Sequence, residues 1–377
     1  MGDEEKSVVG IGVVEQGIRD ECEDFIVRVR YGKGWLFGVF DGHAGKAVSQ
    51  FCAEKLVECL DEIGGEDWNE KLAKVFVVLQ ERICLDVAII NEGTTAVIGF
   101  VGEDMKIYIG VVGDARAMIV DVVGNEVMNV GGGVAVVKDM MGEEFKKHGI
   151  REDCKLEKYI TRTQFYDGVR YCPEWEYYRQ VLKMSFKKID GAFYIQAGIQ
   201  QLQPLRALGD KNATGLIRVP ELYSWVLTGE QLRRGKLVFT SDGLENHKAV
   251  MPEKLAKMLV SPFDTLFEVK ELFRGTCLDI DKSKYVREGK IDVVMDPKWE
   301  RGVKVKKVLE IFAGLVKAVE CDIRKYDKEW ASKLMLYYPK FVSAVMRGEN
   351  TLELIVFLAI MLISDDNISI IAFDLGR

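Results

Sequence analysis

Four aspartates stand at the ends of apolar runs, where their carboxylates could do chemistry. Asp41 follows "WLFGVF", Asp114 follows "KIYIGVVG", Asp242 follows "KLVFTS", and Asp366 precedes "NISIIAF". Next to Asp41 come Gly42 and His43, the latter one of only 3 histidines in the chain. An acid, a bare backbone and a proton donor side by side suit a site that holds a cation and moves a proton. In an antiparallel sheet the end of one strand lies beside the start of the next, so three acids after strands and one before a strand can meet at one sheet edge. Clustered carboxylates repel one another unless protons or cations neutralise them. Oxygen-only ligands favour hard divalent ions such as Mg²⁺ or Mn²⁺. Asp-Gly and Asp-Asn are also ordinary turn chemistry, so spacing alone leaves turn and ligand both open.

The elements that must position these residues are legible as short apolar runs with glycine punctuation. "SVVGIGVV", "DFIVRVR", "WLFGVF", "TTAVIGFVG", "KIYIGVVG", "RAMIVDVVG", "KLVFTS" and "NISIIAFDL" predict strands. "AGKAVSQFCAEKLVECLDEIG" carries apolar residues at helical spacing, and "DWNEKLAKVFVVLQERICLDVA" predicts a second helix. Strands in runs with helices between the runs point to an α+β chain with antiparallel pairing. "VGGGVAVV" (130–137) lacks the following residues of a phosphate loop and predicts a turn. Two stretches interrupt the pattern. Residues 143–190 are polar and aromatic, with Tyr159, Phe165, Tyr166, Tyr171, Trp175, Tyr177 and Tyr178, and residues 262–350 are charged and helical from about Val303 onward. Both are expected to be insertions, and loops of that length are often functional.

Composition narrows the function classes. With 52 Lys plus Arg against 59 Asp plus Glu, the net charge is -7, which argues against nucleic acid as the main partner. The 8 cysteines are scattered with no C-x-x-C pair, as expected of reduced thiols rather than a zinc or redox site. The longest apolar stretch, "LIVFLAIMLI" (354–363), is too short to span a bilayer and predicts a buried helix. "MGDEEKSVVG" lacks the apolar segment of a secretory signal, and Lys6 stands where a myristoylation signal needs Ser or Thr. The expectation is a cytoplasmic or nuclear monomer with no membrane span.

Seven motifs in order decide between turn and ligand. They are "EQGIRDECEDFIV" (15–27), "FGVFDGHAG" (37–45), "GTTAVIGFV" (93–101), "VGDARAMI" (112–119), "RALGD" (206–210), "VFTSDGLEN" (238–246) and "SDDNISII" (364–371). In this series the chain resembles the metal-dependent Ser/Thr protein phosphatases of the PP2C (PPM) family. The resemblance implies a single phosphatase domain over 1–377, a β-sandwich of two antiparallel sheets flanked by helices (αββα). A flap-type insertion at about 143–190 and a helical insertion at about 262–350 would interrupt it. It also implies two Mn²⁺ or Mg²⁺ ions, with Asp41 bridging both, Gly42 and Glu23 on one, and Asp242 and Asp366 on the other. Asp114 would join Asp242 at a weak third site. A metal-bridging hydroxide would attack the phosphorus of phosphoserine or phosphothreonine in phosphoprotein substrates. Arg19 would bind the phosphate and His43 would protonate the leaving oxygen. The alternative is a pseudophosphatase that uses the same fold to bind phosphoproteins.

The chain departs from the family pattern in places. Glu245 and Asn246 follow Leu244 where the family usually has Trp-Asp, and Ile363 replaces a usual glycine. These departures bear on the third ion and on substrate choice more than on the core reaction.

Overall fold

The computed structural model describes residues 10–86, 89, 91–121, 126–132, 185–189, 192–197, 200–202, 206–213, 218, 220–244, 250, 252–268, 272, 276–277, 280–323, 328–348, 351–362, 364 and 366–375. Most of the aromatic insertion (143–184 and 190), Glu245, Asn246 and Ile363 lie outside the described residues. The chain forms two compact units. One comprises Met1–Val29, Ala117–Val130 and Val226–Arg377; the other comprises Arg30–Arg116 and Gly131–Trp225.

The strands, in chain order, are β1 (Gly10–Glu15), β2 (Phe25–Tyr31), β3 (Gly34–His43), β4 (Gly93–Gly102), β5 (Lys106–Val112), β6 (Arg116–Asp121), β7 (Glu126–Gly132), β8 (Ser185–Ile189), β9 (Ala192–Ala197), β10 (Gln200–Leu202), β11 (Leu208–Gly209), β12 (Glu221–Val226), β13 (Gly235–Thr240), β14 (Thr276–Cys277), β15 (Ile280–Asp281) and β16 (Ile368–Asp374). The helices are α1 (Ala47–Ile63), α2 (Trp68–Leu85), α3 (Gly229–Arg234), α4 (Pro252–Val260), α5 (Pro262–Phe267), α6 (Lys282–Arg287), α7 (Arg301–Ile323), α8 (Lys328–Arg347) and α9 (Thr351–Met361). Every run predicted as a strand contains one, and both helical stretches form helices. Of the turn expected at 130–137, residues 130–132 instead close β7, which pairs with β6, and residues 133–137 lie outside the described residues. That pairing satisfies a backbone that the glycines alone would leave loose.

The first unit is built on the sheet β1-β16-β13-β6-β7. β16 pairs antiparallel with β1 on one side and β13 on the other, with Glu15 opposite Ile368 and Thr240 opposite Ile370. A strand buried on both faces needs apolar residues in succession, and Ile368, Ile370, Ile371 and Phe373 supply them. The apolar stretch 354–363 contributes α9, whose residues 354–361 are all buried, against β1 and β16. Burying each such Leu, Ile or Phe stabilises the fold by about 1.5–3 kcal/mol. The helical insertion packs into the same core through α7 and α8, where the rings of Phe312 and Phe341 lie 4.8 Å apart. Among the described residues, no helix is long and apolar enough to cross a membrane.

The second unit is built on β12, β5, β4 and β3, neighbours in the sheet β12-β5-β4-β3-β2, with β11 also paired to β4. β4 is buried along its whole length between β3 and β5. α1 turns Val48, Cys52, Leu56, Cys59 and Leu60 onto β3 and β4, the spacing predicted for one helical face. α2 begins at Asp67, whose carboxylate accepts from the amides of Asn69 (2.8 Å) and Glu70 (3.3 Å) and so caps the first turn. β8, β9 and β10 form a small antiparallel sheet of their own.

Candidate active site

In the second unit the site residues ride on strand register. Asp41, Gly42 and His43 are the last residues of β3, opposite Thr95, Thr94 and Gly93 of β4. Alternation puts Asp41 and His43 on one face of the sheet and turns Gly42 to the other. Thr94 Oγ1 donates to the Asp41 carbonyl at 2.9 Å, which pins the backbone at this end. β5 pairs with β4 as far as Val112 opposite Ala96, and Asp114 comes two residues later at the same sheet end. The turn between them needs Gly113, whose φ is +96° and whose missing Cβ would sit 2.5 Å from the Thr95 side chain.

His43 has a partner that the sequence reading did not single out. Its Nε2 lies 2.9 Å from Asp210 Oδ2, and the Asp210 side chain is fully buried. Asp210 is set by its own amide, which donates to the Glu92 carbonyl at 2.8 Å, next to the pairing of β11 with β4. From α2, Gln80 Oε1 accepts from the Gly209 amide at 2.8 Å. Any Cβ at Gly93 would collide with both the Asp210 carboxylate and the His43 ring, so glycine is what lets the two meet across β4. Asp210 is the last residue of "RALGD", and nothing within that motif announces the pairing with His43.

In the first unit the site residues sit on turns around one sheet end. Asp242 opens a short 3₁₀ turn (Asp242–Leu244) just after β13, and Asp366 lies two residues before β16. Because β13 and β16 run antiparallel, these two ends are neighbours. The Ser241 amide donates to the Ser369 carbonyl at 3.1 Å, and the Ser369 amide donates to Ser241 Oγ at 2.9 Å. Ser364 Oγ donates to the Gly243 carbonyl at 2.7 Å. A Cβ on Gly243 would strike the Asn367 carbonyl and come within 3.2 Å of the Asp366 side chain, so the two turns touch.

The loop after β1 closes on the same end through Asn367, which is 3% exposed. Asn367 Nδ2 donates to the carbonyls of Gln16 (2.8 Å) and Glu21 (3.0 Å), and its Oδ1 accepts from the Glu23 amide at 2.8 Å. Arg19 Nη2 lies 2.9 Å from Asp366 Oδ1. Burial pushes the Cys22 thiol, beside Glu23, up to about 11, so without a metal ion it stays protonated near neutral pH.

Thus the structure brings Arg19, Glu23, Asp242 and Asp366 to one sheet end in the first unit. It brings Asp41, Gly42, His43 and Asp114 to one sheet end in the second. Among the described residues, no three His, Cys, Asp or Glu side chains converge closely enough to hold a metal ion. The donor chemistry fits a hard divalent cation: carboxylates and a backbone carbonyl, with no sulfur or imidazole ligand among the assigned residues. Asp366 already holds a positive charge, that of Arg19.

Residues 15–129 match the sequence model of the family described as Protein phosphatase 2C. Two solved structures share the fold. One is a C. elegans sex determining protein, at 16% identity and a TM-score of 0.51, with 97% of this chain and 64% of that chain covered. The other is a phosphatase from a pathogenic strain of Toxoplasma gondii, at 14% identity and a TM-score of 0.51, with 97% and 92% covered. The chain therefore spans less than two thirds of the first relative's length. A comparison with curated protein sequences finds no match. The resemblance to the PP2C family stands: residues 15–129 carry its sequence pattern, and the α+β fold with two antiparallel sheets flanked by helices is the one these structures share. Arg19, Glu23, Asp41, Gly42, His43 and Asp114 lie inside the matched stretch; Asp210, Asp242 and Asp366 lie outside it.

Proposed function

We propose that this protein is an active protein serine/threonine phosphatase, dependent on Mn²⁺ or Mg²⁺, with two ions in a core site. The observation that supports the reading is that every residue to which the family resemblance gives a role stands at one of the two sheet ends described above. The family resemblance assigns Asp41, Gly42 and Glu23 to one ion, Asp41, Asp242 and Asp366 to the other, and Asp114 with Asp242 to a weaker third. Such ions acidify bound water and neutralise charge on the phosphoryl oxygens.

The chain's own groups then divide the remaining work. Arg19 offers a planar fork of donors that matches two phosphate oxygens, and exchanges its contact with Asp366 for the phosphate. His43 delivers a proton to the departing serine or threonine oxygen, a poor leaving group without it. With Nε2 held by Asp210, Nδ1 is the ring nitrogen left to deliver that proton. The substrates are phosphoproteins, and the aromatic insertion at about 143–190 selects among them through its Tyr and Trp residues. The protein acts as a monomer in the cytoplasm or nucleus, with 1–377 working as one phosphatase domain.

The test is hydrolysis of p-nitrophenyl phosphate by the purified chain. Activity should require added Mn²⁺ and vanish with EDTA. No turnover at any Mn²⁺ concentration would leave the protein as a binding module built on a phosphatase fold.

A further inference from the structure

The loop that carries Arg19 is gripped by a helix of the charged insertion. α8 lies within residues 262–350, the stretch that interrupts the family's motif series. Along α8, Lys333, Tyr337 and Lys340 succeed one another at helical spacing and point one stripe of polar groups at residues 15–20. Lys333 Nζ donates to the Arg19 carbonyl at 3.3 Å and pairs with the Asp20 carboxylate. The Tyr337 hydroxyl donates to Glu15 Oε2 at 3.2 Å, and Lys340 Nζ reaches the same oxygen at 3.3 Å. Tyr337 is 8% exposed and Lys340 lies 4.4 Å over its ring, so the stripe is itself packed. Burial and the Glu15 carboxylate push the Tyr337 hydroxyl up, which keeps it protonated as the donor.

Other ties act on the same loop. Gln16 Nε2 donates to the carbonyls of Arg19 (2.8 Å) and Asp20 (2.7 Å), which curls the loop on itself. Asn367 ties it at Gln16 and Glu21, on either side of Arg19. Ile18 is buried in the core that α7, α8 and α9 build. Between the two Asn367 ties, the Arg19 backbone is met from outside the loop by Lys333.

We propose that α8 is a strut that positions Arg19, so that the helical insertion sets the affinity of the site for phosphate. Lys333 and Tyr337 are positioning residues: Lys333 touches the loop, Tyr337 touches Glu15 at the end of β1 where the loop begins, and both act on Arg19 rather than on the phosphate. The inference rests on Arg19 as the phosphate-binding group of the proposed function. It also gives the insertion a role: whatever shifts α8 along its axis shifts Arg19 with it.

The test measures the dissociation constant of inorganic phosphate by titration calorimetry on the full chain with Mn²⁺. KM and kcat for p-nitrophenyl phosphate are measured in parallel. Lys333→Ala should weaken phosphate binding and raise KM by about ten-fold, the scale of one charge-assisted hydrogen bond, with kcat within about two-fold. Lys333→Arg should restore most of the affinity. In an Arg19→Ala background, Lys333→Ala should add no further loss, because the two act through one group. Tyr337→Phe keeps the packing and should show a smaller loss of the same kind, even if Lys333→Ala folds poorly. Unchanged phosphate affinity in Lys333→Ala and Tyr337→Phe, or a full further loss in the Arg19→Ala background, overturns the strut. A wild-type chain that binds phosphate but turns over nothing refutes the phosphatase reading, while the calorimetry still decides the strut. A wild-type chain that binds no phosphate overturns the strut together with the role of Arg19.

Discussion

The two sheet ends hold their functional groups by different means. In the unit that contains β3, β4 and β5, Asp41 and His43 stand on strand residues whose positions follow from backbone register. In the unit that contains β13 and β16, Arg19, Glu23, Asp242 and Asp366 stand on turns. Those turns are tied by side chains, chiefly Asn367, Ser364 and the polar stripe of α8. A strand-borne group moves only if the sheet moves. A turn-borne group is held by the side chains that tie its turn. The first arrangement suits groups that must hold fixed positions, and the second suits the exchange of Asp366 for a phosphate that is proposed for Arg19.

The largest expected effect removes a ligand from either end. Asp41→Ala and Asp242→Ala should each lower kcat by about 10³-fold or more, since both would lose charge placed directly at the reacting group. Their melting temperatures should stay close to wild type, because both aspartates are partly exposed at strand ends. If only one of the two mattered, the division of the ligands between the ends would be wrong.

A smaller effect separates proton delivery from binding. His43→Ala should slow phosphopeptide turnover by about 10²-fold and p-nitrophenyl phosphate far less, because nitrophenolate leaves without a proton. Equal losses on both substrates would remove His43 from that role. Asp210→Asn is smaller still. It keeps the shape and removes the charge that orients the ring, and should cost about ten-fold in phosphopeptide kcat with KM unchanged. A raised KM instead would mean that Asp210 shapes the binding surface and not the His43 ring.

Much of this was legible in the sequence, for physical reasons. β4 and β16 announce themselves because a strand covered on both faces has to be apolar throughout. α9 does so because a helix buried all round has no polar face. The site acids were visible because they break those runs at their ends. Other features were hidden. β12 alternates "ELYSWV" among mostly exposed positions and gives no apolar run. Asp210 and Asn367 were present in quoted motifs, but nothing local says that one meets a histidine 167 positions away, or that the other ties three backbone groups of a distant loop. Lys333 is one charged residue among many on an amphipathic helix. Only the fold brings it to Arg19, 314 positions earlier.

The central claim is that this chain turns over phosphoprotein rather than merely binding it. The most direct measurement is phosphate release from a phosphothreonine peptide, with and without Mn²⁺, by the wild-type chain and by Asp242→Ala. The account predicts steady release by the wild type that depends on Mn²⁺ and is lost in Asp242→Ala. Absence of release by the wild-type chain at saturating Mn²⁺, or equal release by both proteins, would contradict it.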